Sequence, residues 1–188
     1  NNLRPGGRHW RHVAGAAGWA CAALVSAAAI AGVQELADAL DAPATMRAEA
    51  LRSTVTGIAG SGSTLIAVGP RGMVLRSSDL GSQWQQVAVP VSADLTSVRV
   101  SGPQVAWVVG HDAVILKSVD GGASWTRVLD GRMLFKTMTQ AAQGDERLAK
   151  EVERTMGQSA TADVWPTGLF DLMFLDAERG FAVGAFGL

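Results

Sequence analysis

Between Val55 and Leu129 the chain lays down the same order of apolar and polar positions twice. Residues 64–84 read TLIAVGPRGMVLRSSDLGSQW and residues 105–125 read VAWVVGHDAVILKSVDGGASW, so that Gly69 matches Gly110, Asp79 matches Asp120 and Trp84 matches Trp125, 41 residues on. Each copy holds two short runs rich in β-branched and large apolar residues, too short for helices, parted by a turn and followed by Ser-x-Asp-x-Gly-x-x-Trp. The pattern predicts strands at 55–59, 65–68, 73–77 and 84–89 in the first unit. In the second it predicts strands at 95–100, 105–109, 113–118 and 125–129. A period near forty with four short strands per unit is the sequence form of a β-propeller blade.

A third unit begins at Leu169, where LFDLMFLDAERGFAVGAFGL places Val183-Gly184 opposite Val109-Gly110. The expected fold is therefore all-β, with blades near 53–94, 95–130 and 169–188 within a partial propeller spanning 53–188. About two and a half blades cannot close a ring and would leave strand edges open, so the sequence reads as a section of a larger ring. Between the second and third units, 131–168 breaks the β pattern. Asp145 is a predicted N-cap, Leu148, Val152 and Met156 recur at helical spacing, Gly157 marks a stop and Glu146–Lys150 forms an i, i+4 pair. Arg132–Ala142, with Leu134, Phe135 and Met138, is expected to be the partner helix of a hairpin. Strand order puts this insert on the same face as the turns carrying Arg71, His111 and Phe186. The Asp turns fall on the opposite face. Loops held on a rigid scaffold carry most binding chemistry, which makes Arg71, His111 and Phe186 the candidate partner-binding face.

The chain before the blades has a different pattern. Arg4, Arg8 and Arg11 precede 21 uncharged residues, Val13–Val33, ending in the small-residue run Ala29-Ile30-Ala31-Gly32. This is the order of a secretory signal, and residues 1–32 are read as signal peptide or retained membrane anchor, with membrane association through 13–33 in the second case. Thirteen of the 21 residues are Ala or Gly, a weakly hydrophobic composition for an anchor. Either reading sends the remainder to the periplasm or an equivalent lumenal or exterior compartment. Residues 33–52 read as a polar, Ala-rich linker with helical tendency, the folded part starting near Ser53.

Composition narrows the chemistry. The formal net charge of −1 over 188 residues gives no basic face for nucleic acid. Cys21 is the lone cysteine, lies in the apolar run, and lacks the Leu three residues earlier that marks a lipidated cysteine. Of the three histidines only His111 lies in the blades, so no metal site is expected, and no glycine loop leads a strand into a helix to hold a nucleotide cofactor. His111-Asp112 are neighbours on a turn, where one side chain rarely orients the other. Asp171, Asp176 and Glu178 form an acidic group read as partly a solvated turn.

The two turns Ser77-x-Asp79-x-Gly81-x-x-Trp84 and Ser118-x-Asp120-x-Gly122-x-x-Trp125 resemble the Asp-box of bacterial-neuraminidase-type repeats. The usual Thr before the Trp is replaced by Gln83 and Ser124. Recurrence of Asp79 and Asp120 at one place in successive units points to scaffold rather than to catalytic carboxylates, since an Asp can accept N–H bonds across its own turn. The wording AVGPRGMVLRSSDLGSQW, WVVGHDAVILKSVDGGASW and LDAERGFAVGAFG is similar to the photosystem II assembly and stability factor family, the Ycf48-like propellers. That resemblance implies an exported, non-enzymatic propeller, seven-bladed in the photosynthetic members. It also implies binding to a membrane-protein subunit or assembly intermediate. The helical insert departs from the family pattern. The competing class is a sialidase-like Asp-box glycoside hydrolase. Such enzymes use a Tyr nucleophile, and this sequence contains no Tyr, so its catalytic residues would lie in blades outside this sequence.

Overall fold

The computed structural model describes residues 37–175 and 179–185. The signal or anchor segment, Asp176, Glu178 and Phe186 lie outside the described residues. Among the described residues no helix is long and apolar enough to cross a membrane.

Ten strands follow in order: β1 (Gly57–Ser61), β2 (Thr64–Gly69), β3 (Met73–Ser77), β4 (Gln85–Val87), β5 (Leu95–Val100), β6 (Ala106–Gly110), β7 (Ile115–Ser118), β8 (Thr126–Leu129), β9 (Leu169–Phe174) and β10 (Gly180–Gly184). They form two four-stranded sheets, β1-β2-β3-β4 and β5-β6-β7-β8, and a two-stranded sheet, β10-β9. Every neighbouring pair is antiparallel. The register repeats: Gly57 faces Val68, Ser97 faces Val109 and Asp171 faces Val183. Ile58, Val98 and Leu172 are thus equivalent positions on the first strand of each sheet. This is the propeller-like arrangement expected from the 41-residue period.

The middle strands do not alternate apolar with polar, and their burial explains why. In β3, Met73, Val74 and Leu75 are all buried, because Val74 faces the second sheet while Met73 and Leu75 pack with Ala50 and Trp84 on the other side. Between the first two sheets lies the main core, where Ile66, Val68, Val74, Val98, Val108 and Leu116 interlock. Between the second and third, Val109, Leu169 and Leu172 form a smaller core with Trp107 and Phe174. The first strands approach each other most closely. A Cβ on Gly57 would stand 3.2 Å from the Ser97 Cα, a spacing tighter than most side chains accept. The Thr56 hydroxyl donates to the Leu95 carbonyl at 2.6 Å and the Thr96 hydroxyl donates to the Leu169 carbonyl at 2.5 Å, repeating one polar link at successive seams.

Residues 37–52 are not a free linker. Leu40 is 1% exposed and belongs to the main core, and Ala44 and Ala50 are also buried. Ala44 N–H donates to the Val89 carbonyl at 3.1 Å and Ser92 N–H to the Ala39 carbonyl at 2.8 Å, so the stretch lies against the 88–94 connector as a strap. Its helical tendency yields only one 3-10 turn, Ala48–Arg52. Pro43 interrupts any longer helix by removing an N–H and crowding the preceding turn.

The insert is a helical hairpin, α1 (Gly131–Ala141) and α2 (Glu146–Met156). Asp130 caps α1 by accepting from Arg132 and Met133 N–H, and Asp145 caps α2 by accepting from Leu148 N–H. The hairpin leaves and re-enters the repeat without disturbing it. In the short connector, Gly72 N–H donates to the Ala93 carbonyl and His111 N–H to the Asp94 carbonyl, both at 2.8 Å. In the long one, Ala113 N–H donates to the Thr167 carbonyl at 2.8 Å and Ala185 N–H to the Gly168 carbonyl at 3.0 Å. Thr167 and Gly168 therefore occupy the places of Ala93 and Asp94.

Candidate functional site

The turns at the two ends of the sheets, which form two opposite faces of the propeller-like arrangement, differ in chemistry. On the Asp face, the Ser77 hydroxyl donates to Asp79 Oδ1 at 2.7 Å, Gln83 N–H donates to the same oxygen at 2.9 Å, and Gly81 N–H donates to Ser77 Oγ at 2.9 Å. Ser118, Asp120, Gly122 and Ser124 repeat the set, with one addition: the Ser124 hydroxyl donates to Asp120 Oδ2 at 2.5 Å. That bond, where Gln83 stands in the first unit, is the largest of the causes that draw the Asp120 carboxyl down to about 2. Asp79 is also lowered, chiefly by the Gln83 N–H. Carboxylates held this way are poor proton acceptors at neutral pH, and Asp79 Oδ1 and both Asp120 oxygens already serve the turn. Gly81 and Gly122 sit at φ 88° and 83°, which suits glycine. Trp125 is 6% exposed, and its Nε1–H donates to the Gly122 carbonyl at 3.2 Å.

On the opposite face, Arg71 and His111 occupy matching turns. Arg71 has φ 56° and its N–H donates to Asp94 Oδ1 at 2.8 Å, while the His111 N–H takes the Asp94 carbonyl. Asp94 thus ties the turns of two units together and presents both side chains to solvent. In the second unit Gly168 replaces Asp94 and offers no carboxylate, so Asp112, at φ 54°, lacks the tether that Arg71 has. Asp112 is half-buried, and burial first, then the charge of Asp38, raises its carboxyl above the ordinary range. No hydrogen bond joins its side chain to His111, so the pair lacks the geometry of a dyad. Phe186, the third residue expected on this face, lies outside the described residues.

The strap adds what sequence reasoning missed. Arg47, Arg52 and Arg71 line one cavity of about 450 Å³ together with Thr54, Met73 and Gln86. Among the described residues no carboxylate lies within ion-pair distance of these three guanidinium groups. The strap is locked at this point by Gln86, whose Oε1 accepts from Arg47 N–H at 2.8 Å and whose Nε2 donates to the Thr45 carbonyl at 3.0 Å. Arg47 and Arg52 fell within the stretch read as linker. Pro43, a helix stop just before the basic positions, was the one local signal that this stretch does not run on as a helix.

The insert is fastened to the same strap. Arg132 pairs with Asp38 at 2.6 Å and Asp41 at 2.8 Å, and Arg127 pairs with buried Asp130 at 3.3 Å while donating to the Leu40 carbonyl. The Asp41 carboxyl is lowered by its bond from Arg132, and Arg132 is held more firmly protonated. Gly131 fills the joint: a Cβ there would stand 2.7 Å from Val164 Cγ1 and 3.0 Å from the Trp165 carbonyl oxygen. The base of the hairpin is therefore fixed to both strap and blade. Among the described residues no group of His, Cys, Asp or Glu is placed to hold a metal ion.

The family profile described as photosynthesis system II assembly factor YCF48 matches residues 60–147, which take in most of the first two sheets and the start of the insert. The resemblance drawn from the Asp turns and the flanking strands holds over that span. Similar solved structures include YCF48 from Cyanidioschyzon merolae, 33% identical with TM-score 0.38 over 41% of this chain and 27% of that one. YCF48 bound to D1 peptide is 18% identical, with TM-score 0.36 over 39% and 25%. An ancestral GH74 enzyme is 24% identical, with TM-score 0.34 over 40% and 13%. The chain spans about a quarter of the length of the two YCF48 structures. No curated protein sequence matches it.

Proposed function

We propose that this chain is part of an exported, non-enzymatic propeller scaffold that holds a membrane-protein subunit or assembly intermediate against the face bearing Arg71, His111 and the insert. The single observation that carries this reading is the cavity edged by Arg47, Arg52 and Arg71. Three cations converge there without a carboxylate partner among the described residues. Unmatched charge on a loop face steers a partner and sets its register more than it stabilises the fold. The assembly-factor profile over residues 60–147 supports the class of function.

We also infer that further blades of the same repeat continue the ring at both ends. Val55 is 47% and Ile58 57% exposed, whereas their equivalents Leu95 and Val98 are 0% exposed beneath the preceding sheet. At the other end Val183 is 52% exposed where Val109 is 0%. Export to the periplasm or an equivalent compartment, by a cleaved signal or with a retained anchor, belongs to the same proposal.

The test is recovery of membrane subunits by the tagged full-length protein from solubilised membranes. Arg71→Glu combined with Arg47→Glu is expected to abolish recovery of a specific subunit while leaving the thermal midpoint unchanged. Asp79→Asn is expected to lower the midpoint and leave recovery intact. Unchanged recovery with both arginines reversed would overturn the reading.

A further inference from the structure

The insert has a second surface that the strap and blades leave open. Between α1 and α2 runs a groove of about 330 Å³, floored by Phe135, Ala142, Ala149, Val152 and Met156. Val152 is buried, Phe135 and Met156 are half-buried and Ala149 is exposed, so the floor is apolar and shallow at its outer end. One charge lines it, Glu153. The cations nearest in sequence are already engaged: Lys150 pairs with Glu146 at 2.8 Å and Arg154 pairs with Glu151. Glu153 has no ion-pair partner among the described residues.

Two antiparallel helices with an apolar seam open along one side present the groove that a third helix fills. The Arg132 clasp and the Gly131 joint hold the base of the hairpin, so the groove is presented at a fixed place, which lowers the ordering cost of binding.

We propose that this groove receives an amphipathic helix of the protein partner, its apolar stripe on the Phe135–Met156 floor and a Lys or Arg beside Glu153. The proposal deepens the partner-binding reading of this face and names what the partner must present. Thr139 and Gln143 complete the lining without charge, so Glu153 is the one charged residue in it, and that is the charge complementarity that selects a basic amphipathic helix over an acidic one.

The experiment uses the full chain and a labelled amphipathic peptide of about 15 residues, near the shortest length that holds a helix in water. The peptide has Leu at i, i+4 spacing and one Lys at the stripe edge, and binding is read by anisotropy. Ala149→Trp fills the groove from an exposed position and is expected to weaken binding by about tenfold or more, with the helical circular dichroism signal retained. Glu153→Lys is expected to weaken the Lys peptide by about threefold and to favour a Glu-substituted peptide by a similar factor. That exchange is a readout that general stickiness would not produce. Equal binding by wild type and Ala149→Trp, no binding at all, or absence of the charge exchange would each overturn the proposal. So would a dimer in sedimentation, or binding to neutral lipid vesicles, that Ala149→Trp alone removes, because a second copy or a bilayer would then be the occupant. Arg47→Glu/Arg71→Glu leaves this peptide binding unchanged, so loss of the cationic cavity's role and loss of the groove's role are separable.

Discussion

Leu95 and Val98 on β5 are closed off from water, while Val55 and Ile58, at the same repeat positions before and in β1, are half open to it. The residue types are nearly the same and the register is the same, so the burial difference comes from the neighbouring sheet alone. The repeat therefore encodes two mating faces per unit, and each face gains its hydrophobic stabilisation only from the next unit. Trp125 and Trp84 make the same contrast, since Trp125 lies in the main core and Trp84 packs from the margin of a small cluster with Leu75 and Ala50.

The sharpest way to break this comparison is to put one charge into both members of the pair. Val98→Asp is expected to prevent cooperative folding, because an unpaired carboxylate would be forced into the seam. In this segment by itself, without a further blade over β1, Ile58→Asp is expected to change stability by no more than about 0.5 kcal/mol, as surface substitutions do. Urea unfolding of the two variants side by side measures the contrast, and a large cost at Ile58 would show that its face is already covered. A milder pair is Trp125→Ala against Trp84→Ala. Loss of a buried Trp costs about 3–5 kcal/mol, and the Trp84 variant is expected to cost clearly less by the same measurement.

The smallest effect comes from the Asp turns and sharpens the difference between units. The Asp120 carboxyl is depressed to about 2, so its contribution is fully present above its unfolded value, about 3.9, and is lost as pH falls through the folded value. Ser124→Ala removes the hydroxyl bond responsible for the largest part of that depression. It is expected to move the acid-induced loss of stability to higher pH, whereas Ser82→Ala, one turn position away in the first unit, leaves Asp79 Oδ1 with its Ser77 and Gln83 donors. Thermal midpoints between pH 2 and pH 5 decide the matter.

Much of the scaffold was legible because its signals are local. The turn glycines, the Ser-Asp pairs and the period of 41 residues each act within one unit. α2 was equally plain, with Asp145 at its cap and Val152 on its buried side. β4 is shorter than the 84–89 expected, Gln85–Val87, because Val89 turns into the main core instead of continuing the ladder. The strap escaped notice because its docking rests on Leu40, two small alanines and backbone bonds, none of which forms a periodic apolar pattern. Ala113 at φ 53° could not have been foreseen either. Its strained backbone is held by the bond to Thr167, a partner from beyond the insert. The cationic cavity depends on the strap: Arg47 and Arg52 line it with Arg71 because the strap is folded down.

The exit and re-entry of the insert also bear on how such a protein can change over generations. Asp112 O accepts from Gly131 N–H at one end, and the Ala113–Thr167 and Ala185–Gly168 bonds restore the repeat frame at the other. Apart from Val164 in the main core and the clasp at Gly131 and Arg132, the β frame makes no use of what lies between, and loop closure grows costlier only slowly with length. The connector at 130–168 thus spans the same step in the repeat as the short stretch 88–94. A change of length or sequence at that position would leave the hydrogen-bond frame of the blades on either side in place.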